Sequence, residues 1–589
     1  MFNEVNFDIN NPNQQATVDL DSETEPEQIP SISEDTQLHH VRQSSRTKRQ
    51  PVRFGFDEYV DVATVDHLAC RAAQVLEPKT IEEALSSDEA DKWRAAADSE
   101  YSSLLENQTW DLVELPPDRE AIPCKWVFKV KYKEDGHIER FKARLVAKGY
   151  VQKHGIDYDE TFSPVVRFSS IRVLLSFALQ HSMHIHQMDV VTAFLHGKLE
   201  EEIYMMQPSG YSVKGKENLV CRLKKSLYGL KQSSRCWAKA FQQYVETLGF
   251  SQSAADPCVF IRVDDSITII AVYVDDLILI TSRLDQMRQL KQHLADQFKM
   301  KDMGPLHYLL GITVLQGEDH ITIHQKQYIL RLLKRFGMED AKPVSTPADI
   351  SVKLTKDDGV SGDVDSNEYQ SLVGSLLYVA IATRPDISQA VGAVSKFCSN
   401  PTQAHLTAAK RILRYLKCTV DTALTYSKSP SGALVGYSDA DWAGDLDTRR
   451  STSGILFLMS DGAVSWASKA QPVVALSSSE AEYIALSMAT QEAAWMQKLL
   501  DDLQGCVRPV KIMEDNQGAI AIARNPIAHA RTKHIDIRFH YVREAIEEGI
   551  IEIEYCPTEV MIADLLTKPL SKERFERLRQ MMGLINLTN

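Results

Sequence analysis

Two adjacent carboxylates, Asp275 and Asp276, sit inside the run at residues 267–280, Ile-Thr-Ile-Ile-Ala-Val-Tyr-Val-Asp-Asp-Leu-Ile-Leu-Ile. The flanking residues are apolar and mostly β-branched, which predicts buried strands. Asp-Asp between them suits a tight hairpin turn. Two ionised carboxylates about 4 Å apart repel by roughly 4 kcal/mol at an effective dielectric near 20, and an apolar platform adds a desolvation cost. A divalent cation removes both penalties, and a site built only from oxygen ligands suits Mg²⁺. The plain alternative is a solvated turn that happens to hold two aspartates.

Such a turn needs neighbours. Helix-like spacing of Trp93, Ala96, Tyr101 and Leu104 predicts a helix within residues 78–107. Residues 110–115 and 124–132 alternate with period two, and residues 138–149 return after Asp135-Gly136, a strong hairpin signal. An amphipathic helix is expected over 168–181, then a strand ending at Asp189. Helices follow at 240–248, 284–298 and 325–336, with a Pro/Gly/Asp/Ser linker loop over 343–365. The helical stretch 405–417 carries Lys410, Arg411, Arg414 and Lys417, either a surface for a nucleic-acid backbone or a solvated face.

From Leu434 strands and helices alternate. Asp439 and Asp441 close one strand, and Asp515 closes another at 510–515. Residues 550–555 alternate as an exposed-edge strand, and Asp564 lies on an apolar helix. Ser477-Ser-Ser-Glu480 fits a capping box with Ser477 as N-cap, which gives Glu480 a structural task and frees Glu482. The rival register, Ser479 with Glu482, reverses those roles.

The 589 residues exceed what one core accommodates and suggest three or four domains. No apolar run reaches the roughly 18–20 residues that span a bilayer, and the N-terminus lacks the basic and apolar regions of a signal peptide. Nine cysteines, none in a C-x-x-C pair, point to reduced thiols in an intracellular setting rather than a disulfide framework or zinc site. The net charge of −14 does not exclude a nucleic-acid partner, because binding needs only a local basic field. Lys125, Lys129, Lys131, Lys133, Arg140, Lys142, Arg144, Lys148 and Lys153 supply one. Residues 1–75 have the composition of a disordered tail, and the patch Arg46 to Arg53 is a solvated linker or a nuclear-localisation or nucleic-acid patch.

Tyr273-Val-Asp275-Asp276, with an upstream partner at Asp189, resembles the reverse transcriptases of LTR retrotransposons, the copia-type Pol polyprotein in particular. The similarity runs from about Trp110 to Leu570 and includes Lys224-Lys-Ser-Leu-Tyr228-Gly229-Leu-Lys231-Gln232-Ser-Ser-Arg235-Cys-Trp237. It implies an α+β right-hand polymerase (fingers, ferredoxin-like palm, thumb/connection) followed by an α/β ribonuclease H-like domain. The implied boundaries are 76–345 for fingers, palm and the start of the thumb, 346–432 for thumb/connection, 433–570 for the ribonuclease H-like domain and 571–589 for a C-terminal tail.

The resemblance also assigns roles. Asp189, Asp275 and Asp276 become the metal-binding catalytic acids of the polymerase, holding ions about 3.5–4 Å apart. Lys142 and Arg144, on one strand face, grip the triphosphate of a dNTP, or form a solvated face. Phe194 lies beneath the sugar and disfavours a 2′-hydroxyl, Tyr228 packs on the base pair, and Gly229 lets backbone approach nucleotide and template. Where the family has Ala-Pro this chain has Ser233-Ser234, which frees one φ angle. Asp439, Glu482, Asp515 and Asp564 match in order the metal-binding catalytic set of the ribonuclease H fold, with Asp441 and Glu480 as understudies. His529, His534 and His540 are expected in structural or backbone-contacting roles.

The function implied is RNA-directed DNA synthesis joined to ribonuclease H cleavage, with two Mg²⁺ per active site and Mn²⁺ as a substitute. The partners implied are an RNA template, a DNA primer and product, an RNA–DNA hybrid and dNTPs, with no membrane, and integrase and Gag in trans. Without Gag, protease or integrase sequence, the chain is expected to be the C-terminal part of Pol, in cytoplasmic virus-like particles or the nucleus. The rival is a retained retrotransposon fragment that binds nucleic acid without chemistry.

Overall fold

The computed structural model describes residues 77–132, 138–356, 364–429, 432–505, 508–524 and 536–587. The N-terminal tail with its basic patch, the Asp135-Gly136 turn, part of the 343–365 loop, His529, His534 and the side chain of His540 lie outside the described residues.

Alternating apolar and charged residues shape the basic ribbon, in which Cys124–Tyr132 pairs antiparallel with Ile138–Ala147. Its apolar face buries Trp126, Phe128 and Leu145 against the helix Ala90–Glu106, where Trp93 meets Phe128 and Phe141 edge-on. The charged residues occupy the other face. A three-stranded sheet of Trp110–Val113, Val220–Lys225 and Lys198–Met205 completes this subdomain and shares its core.

The Asp275-Asp276 run forms the hairpin of Ile267–Tyr273 and Asp276–Thr281 at the centre of a six-stranded sheet. The strand His184–Val190 lies beside it, between Asp276–Thr281 and Met300–Pro305. Both faces of the hairpin are covered, as a continuous apolar run requires. The helix Phe168–Gln180 packs below with Ile269, Ala271, Ile278 and Ile280, while Ser233–Thr247 and Leu284–Gln297 cover Ile270, Leu277 and Leu279.

Two five-stranded sheets follow. One runs Tyr308–Leu309, Ile312–Gln316, His320–His324, Thr422–Ser427 and Leu584–Asn586, all antiparallel. The other runs Gly462–Ala470, Thr452–Met459, Val435–Asp441, Val510–Glu514 and Ile551–Tyr555, antiparallel among its first three and parallel from Val435–Asp441 onward. The helix Ser478–Gln504 lies across this last sheet.

Two expectations change. The stretch 571–589, read as a tail, instead contributes the helix Lys572–Met581 and the strand Leu584–Asn586, because Phe575, Leu578, Met582 and Leu584 are buried apolar side chains. The 432/433 boundary also divides no core. One hydrophobic cluster includes Phe177 of the helix under the hairpin, Leu376 and Leu413 of the 366–418 helices, and Phe457 and Met496 of the last sheet and its helix. Polar contacts reinforce this join. Arg172 lies over the Trp466 ring, 3.9 Å away, and donates to the carbonyls of Val464 and Ile381, while Trp495 Nε1 donates to Ala255 O. Among the described residues no helix is long and apolar enough to cross a membrane, and all seven described cysteines are free.

Candidate active sites

The register of the six-stranded sheet gathers the first set of acids. Asp276 is the cross-strand partner of Asp189, and Val190 N donates to Asp275 O at 2.9 Å. The turn itself is Val274-Asp275, with Tyr273 paired to Asp276 across it. Val274, and not an aspartate, takes the left-handed conformation, at φ +57°. That pattern fits a type II′ turn, and a β-branched residue there is strained. Surrounding structure enforces it, since Trp237 Nε1 donates to Val274 O at 2.6 Å.

Charge is left unbalanced at this turn. Burial first, then the charge of Asp189, pushes the Asp275 carboxyl up. Burial and the Asp275 charge push Asp276 up to about 7, against a hydrogen bond of 3.0 Å from Gln187 Nε2. Gln187 shares a strand face with Asp189, a polar residue two places before the acid that the sequence already displays.

The basic ribbon faces these acids. Arg144 and Lys142 both draw the Asp275 carboxyl down electrostatically. The Arg144 guanidinium lies 4.5 Å from the Tyr228 ring centroid, and Tyr228 meets Phe194 edge-on at 4.7 Å. Burial, then the like charges of Arg144 and Arg140, lowers the Lys142 ammonium to about 8. Gly229 has φ +93°, and a Cβ there would strike the Ala147 carbonyl, so its missing side chain lets the Tyr228 turn seat on the ribbon. Ser233, where the family pattern has Ala, donates to Leu227 O at 2.5 Å. That bond ties the helix start to the same turn.

The second set is assembled by the last sheet. Ser477 caps its helix by accepting from Glu480 N, and the Glu480 carboxylate accepts from Leu476 N at 2.7 Å. Glu482 is therefore free to face the sheet. Asp439, Glu482 and Asp515 each bring a carboxylate oxygen within 4.8 Å of the others. Burial and the charges of Asp439 and Glu514 push Glu482 up to about 11, and its Oε2 is buried with no hydrogen-bond partner among the described residues. Burial raises Asp439 to about 7. Oxygen donors only, converging and largely buried, fit a hard divalent ion.

Asp564 does not join this group. It is fully buried on the 3₁₀ turn Ile562–Leu566, where one carboxylate oxygen is ion-paired with Arg574 and the other lies 2.5 Å from Lys568 Nζ. The expected four-acid set thus becomes three acids plus one that is already paired. Lys568 stands four residues after Asp564, a spacing that brings side chains together on a helical turn. Sequence reasoning also missed Glu514. It is fully buried beside the cluster, raised well above its ordinary value by burial, and accepts from Ser438 Oγ at 2.6 Å. Asp441, two residues on and so on the same strand face as Asp439, is half-buried and raised by burial.

Residues 107–350 match the family model described as reverse transcriptase (RNA-dependent DNA polymerase). The chain is 41% identical over 553 residues to the retrovirus-related Pol polyprotein from transposon TNT 1-94 of Nicotiana tabacum, covering 92% of this chain and 41% of that protein. It is 42% identical over 520 residues to the Pol polyprotein from transposon RE1 of Arabidopsis thaliana, covering 88% and 35%. It is 34% identical over 308 residues to the putative transposon Ty5-1 protein of Saccharomyces cerevisiae, covering 52% of this chain and 100% of that one. The chain thus spans well under half the length of the two plant Pol polyproteins. Its match to the reverse transcriptase model and to transposon proteins of plants and yeast places it in one group: the chain belongs to the copia-type retrotransposon Pol family.

Proposed function

We propose that this chain is an RNA-directed DNA polymerase joined to a ribonuclease H, which copies retrotransposon RNA into DNA and degrades the RNA strand of the resulting hybrid. The observation that carries the polymerase reading is the cross-strand pairing of Asp276 with Asp189 beside the strained Val274-Asp275 turn. On this reading the six-stranded sheet is the palm, the basic ribbon the fingers, and the helices between residues 326 and 418 the thumb and connection. Asp439, Glu482 and Asp515 are the acids of the nuclease.

A divalent ion, Mg²⁺ or Mn²⁺, would neutralise the acids and stabilise charge developing on the transferred phosphoryl group. The remaining work belongs to the chain. Asp189, Asp275 and Asp276 would hold the ion, and Trp237 keeps the turn from relaxing. Arg144 and Lys142 provide cationic donors for the triphosphate of a dNTP. Lys142, partly desolvated and beside like charge, gains most when a phosphate arrives. Phe194, edge-on to Tyr228, supplies the flat wall beneath the sugar, and Tyr228 with Gly229 borders the template.

The test is primer extension on poly(rA)–oligo(dT) with Mg²⁺, and cleavage of a labelled RNA–DNA hybrid. Extension by the wild type and not by Asp275→Asn is expected. Equal, background-level extension by both would remove the polymerase assignment.

A further inference from the structure

The three converging acids of the last sheet are not held alike. Asp439 and Glu482 are buried, and Asp439 also accepts from the Thr567 hydroxyl, whereas Asp515 is only half-buried. Packing therefore does not fix the Asp515 carboxylate. Among the described residues it takes one side-chain donor, the Thr558 hydroxyl, 2.7 Å from its Oδ2. Strand register brings the two together. Tyr555 is the cross-strand partner of Glu514, so both strands end at the same level, with Asp515 and Thr558 just beyond. A carboxylate held at one oxygen cannot turn freely about its last single bond, and its convergence with Asp439 and Glu482 is kept.

Thr558 is itself exposed, so something other than burial must hold it. It opens the 3₁₀ turn Thr558–Val560. Two arginines of the helix Lys572–Met581, three residues apart and so on one face, reach that turn. Arg574 Nη2 donates to Thr558 O at 2.7 Å, and Arg577 Nη2 donates to Glu559 O at 2.5 Å. Arg574 is also paired with the buried Asp564, which fixes its guanidinium. Phe575, Leu578 and Met582 seat the helix, and the chain leaves it into the strand Leu584–Asn586, paired with Thr422–Leu424. A line of direct contacts thus runs from that sheet, through the C-terminal helix and the Thr558 turn, to one nuclease acid.

We propose that Thr558 is a positioning residue for Asp515, and that the C-terminal helix holds Thr558 in place through Arg574 and Arg577. This deepens the nuclease reading above and rests on it. Thr558 is not itself a ligand in this role; its hydroxyl sets the carboxylate that is. Loss of the hydroxyl weakens the grip on a divalent ion without removing a ligand, so excess ion restores cleavage. Arg577 acts one step further out, since among the described residues it pairs with no carboxylate and donates to a backbone carbonyl.

The experiment uses the full chain, with Asp275→Asn and Asp276→Asn introduced to silence the polymerase acids. Mn²⁺ binding to this parent is read by electron paramagnetic resonance, with Asp439→Asn as background, and cleavage of a labelled RNA–DNA hybrid is followed against Mn²⁺ concentration. Thr558→Val, close in shape but without the hydroxyl, should weaken Mn²⁺ binding by about 10–100-fold. The Mn²⁺ needed for half-maximal cleavage should rise to match, while cleavage at saturating Mn²⁺ stays close to the parent's. Thr558→Ser, which returns the hydroxyl, should restore the affinity, and Arg577→Met should weaken binding by a smaller factor. Melting temperatures in EDTA should match the parent's in all three variants, which separates positioning from misfolding. Unchanged affinity in Thr558→Val, or equal loss in Thr558→Val and Thr558→Ser, overturns the inference and leaves the nuclease reading standing. Unchanged affinity in Arg577→Met overturns the part played by the C-terminal helix. A parent that neither binds Mn²⁺ above background nor cleaves the hybrid overturns the nuclease reading and the inference with it.

Discussion

The two acid clusters solve the same electrostatic problem in opposite ways. At the hairpin, Asp189, Asp275 and Asp276 are brought together by strand register and none is in an ion pair among the described residues, although Lys301 stands cross-strand from Asp189 and Arg144 and Lys142 act on Asp275 from the basic ribbon. In the last sheet the acids are more deeply buried, and the chain's own Lys568 and Arg574 are already seated on one of them. The first site leaves its charge for incoming ions and phosphates to neutralise; the second neutralises part of it internally. The difference follows from burial. A partly open turn tolerates repulsion through solvent, whereas a fully buried carboxylate like Asp564 demands a partner.

The largest effect should come from cutting one cluster and leaving the other. Asp275→Asn is expected to lower primer extension by on the order of a thousandfold, with hybrid cleavage within about twofold of wild type. Asp439→Asn should do the reverse. Simultaneous loss in either variant would show that the sites are not separable.

Next in size is the buried pair Arg384–Asp386, which sits in the core joining both sites and is bound by Tyr415 and Thr419. Arg384→Ala strands Asp386 and should cost about 3–5 kcal/mol in urea denaturation. Both activities should then fail over the same urea range, because they share a core. Separate transitions would break that picture.

The pH dependence sharpens the contrast further. Asp276 and Asp439 are each pushed up to about 7 in the folded protein. A carboxyl raised above its unfolded value binds more protons when folded, so its folded state is favoured at low pH and loses ground as pH rises toward the folded value. In EDTA the melting temperature should therefore fall between about pH 4 and 7, and added Mg²⁺ should raise it most at the upper end.

Trp237→Phe removes the donor to Val274 O and leaves a smaller ring in the buried contact with Phe241 and Phe298. It should cost about 1–1.5 kcal/mol, read as up to a tenfold fall in kcat for extension with KM little changed. Smallest is Ser477→Ala, expected to cost about 1 kcal/mol through loss of the N-cap with cleavage largely kept. Ser479→Ala should not cost as much, since Ser479 is not the cap.

Local pattern made much of this legible. The Ile267–Thr281 hairpin, the basic ribbon and the parallel strand ending at Asp515 follow from periodicity, and the choice between Glu480 and Glu482 followed from capping chemistry. What escaped depends on contacts distant in sequence or on a partner's identity. Asp564 looks like Asp439 or Asp515 in sequence; only the arrival of Arg574 from the next helix sets it apart. The positive φ of Val274 was invisible because Asp-Asp is the more familiar turn pair, yet the register with Asp189 shifts the turn by one residue. The C-terminal strand was read as tail because three residues are too few for a pattern.

That short strand bears on how the molecule is made. Leu584–Asn586 pairs with Thr422–Leu424, which belong to a sheet begun near Tyr308. That edge of the sheet is covered only once residues 428–586 have also left the ribosome. Until then Thr422–Ser427 exposes an unpaired rim of the kind that recruits stray strands. Completion of that sheet thus waits on the strand Leu584–Asn586, which follows the whole of the last sheet in the chain.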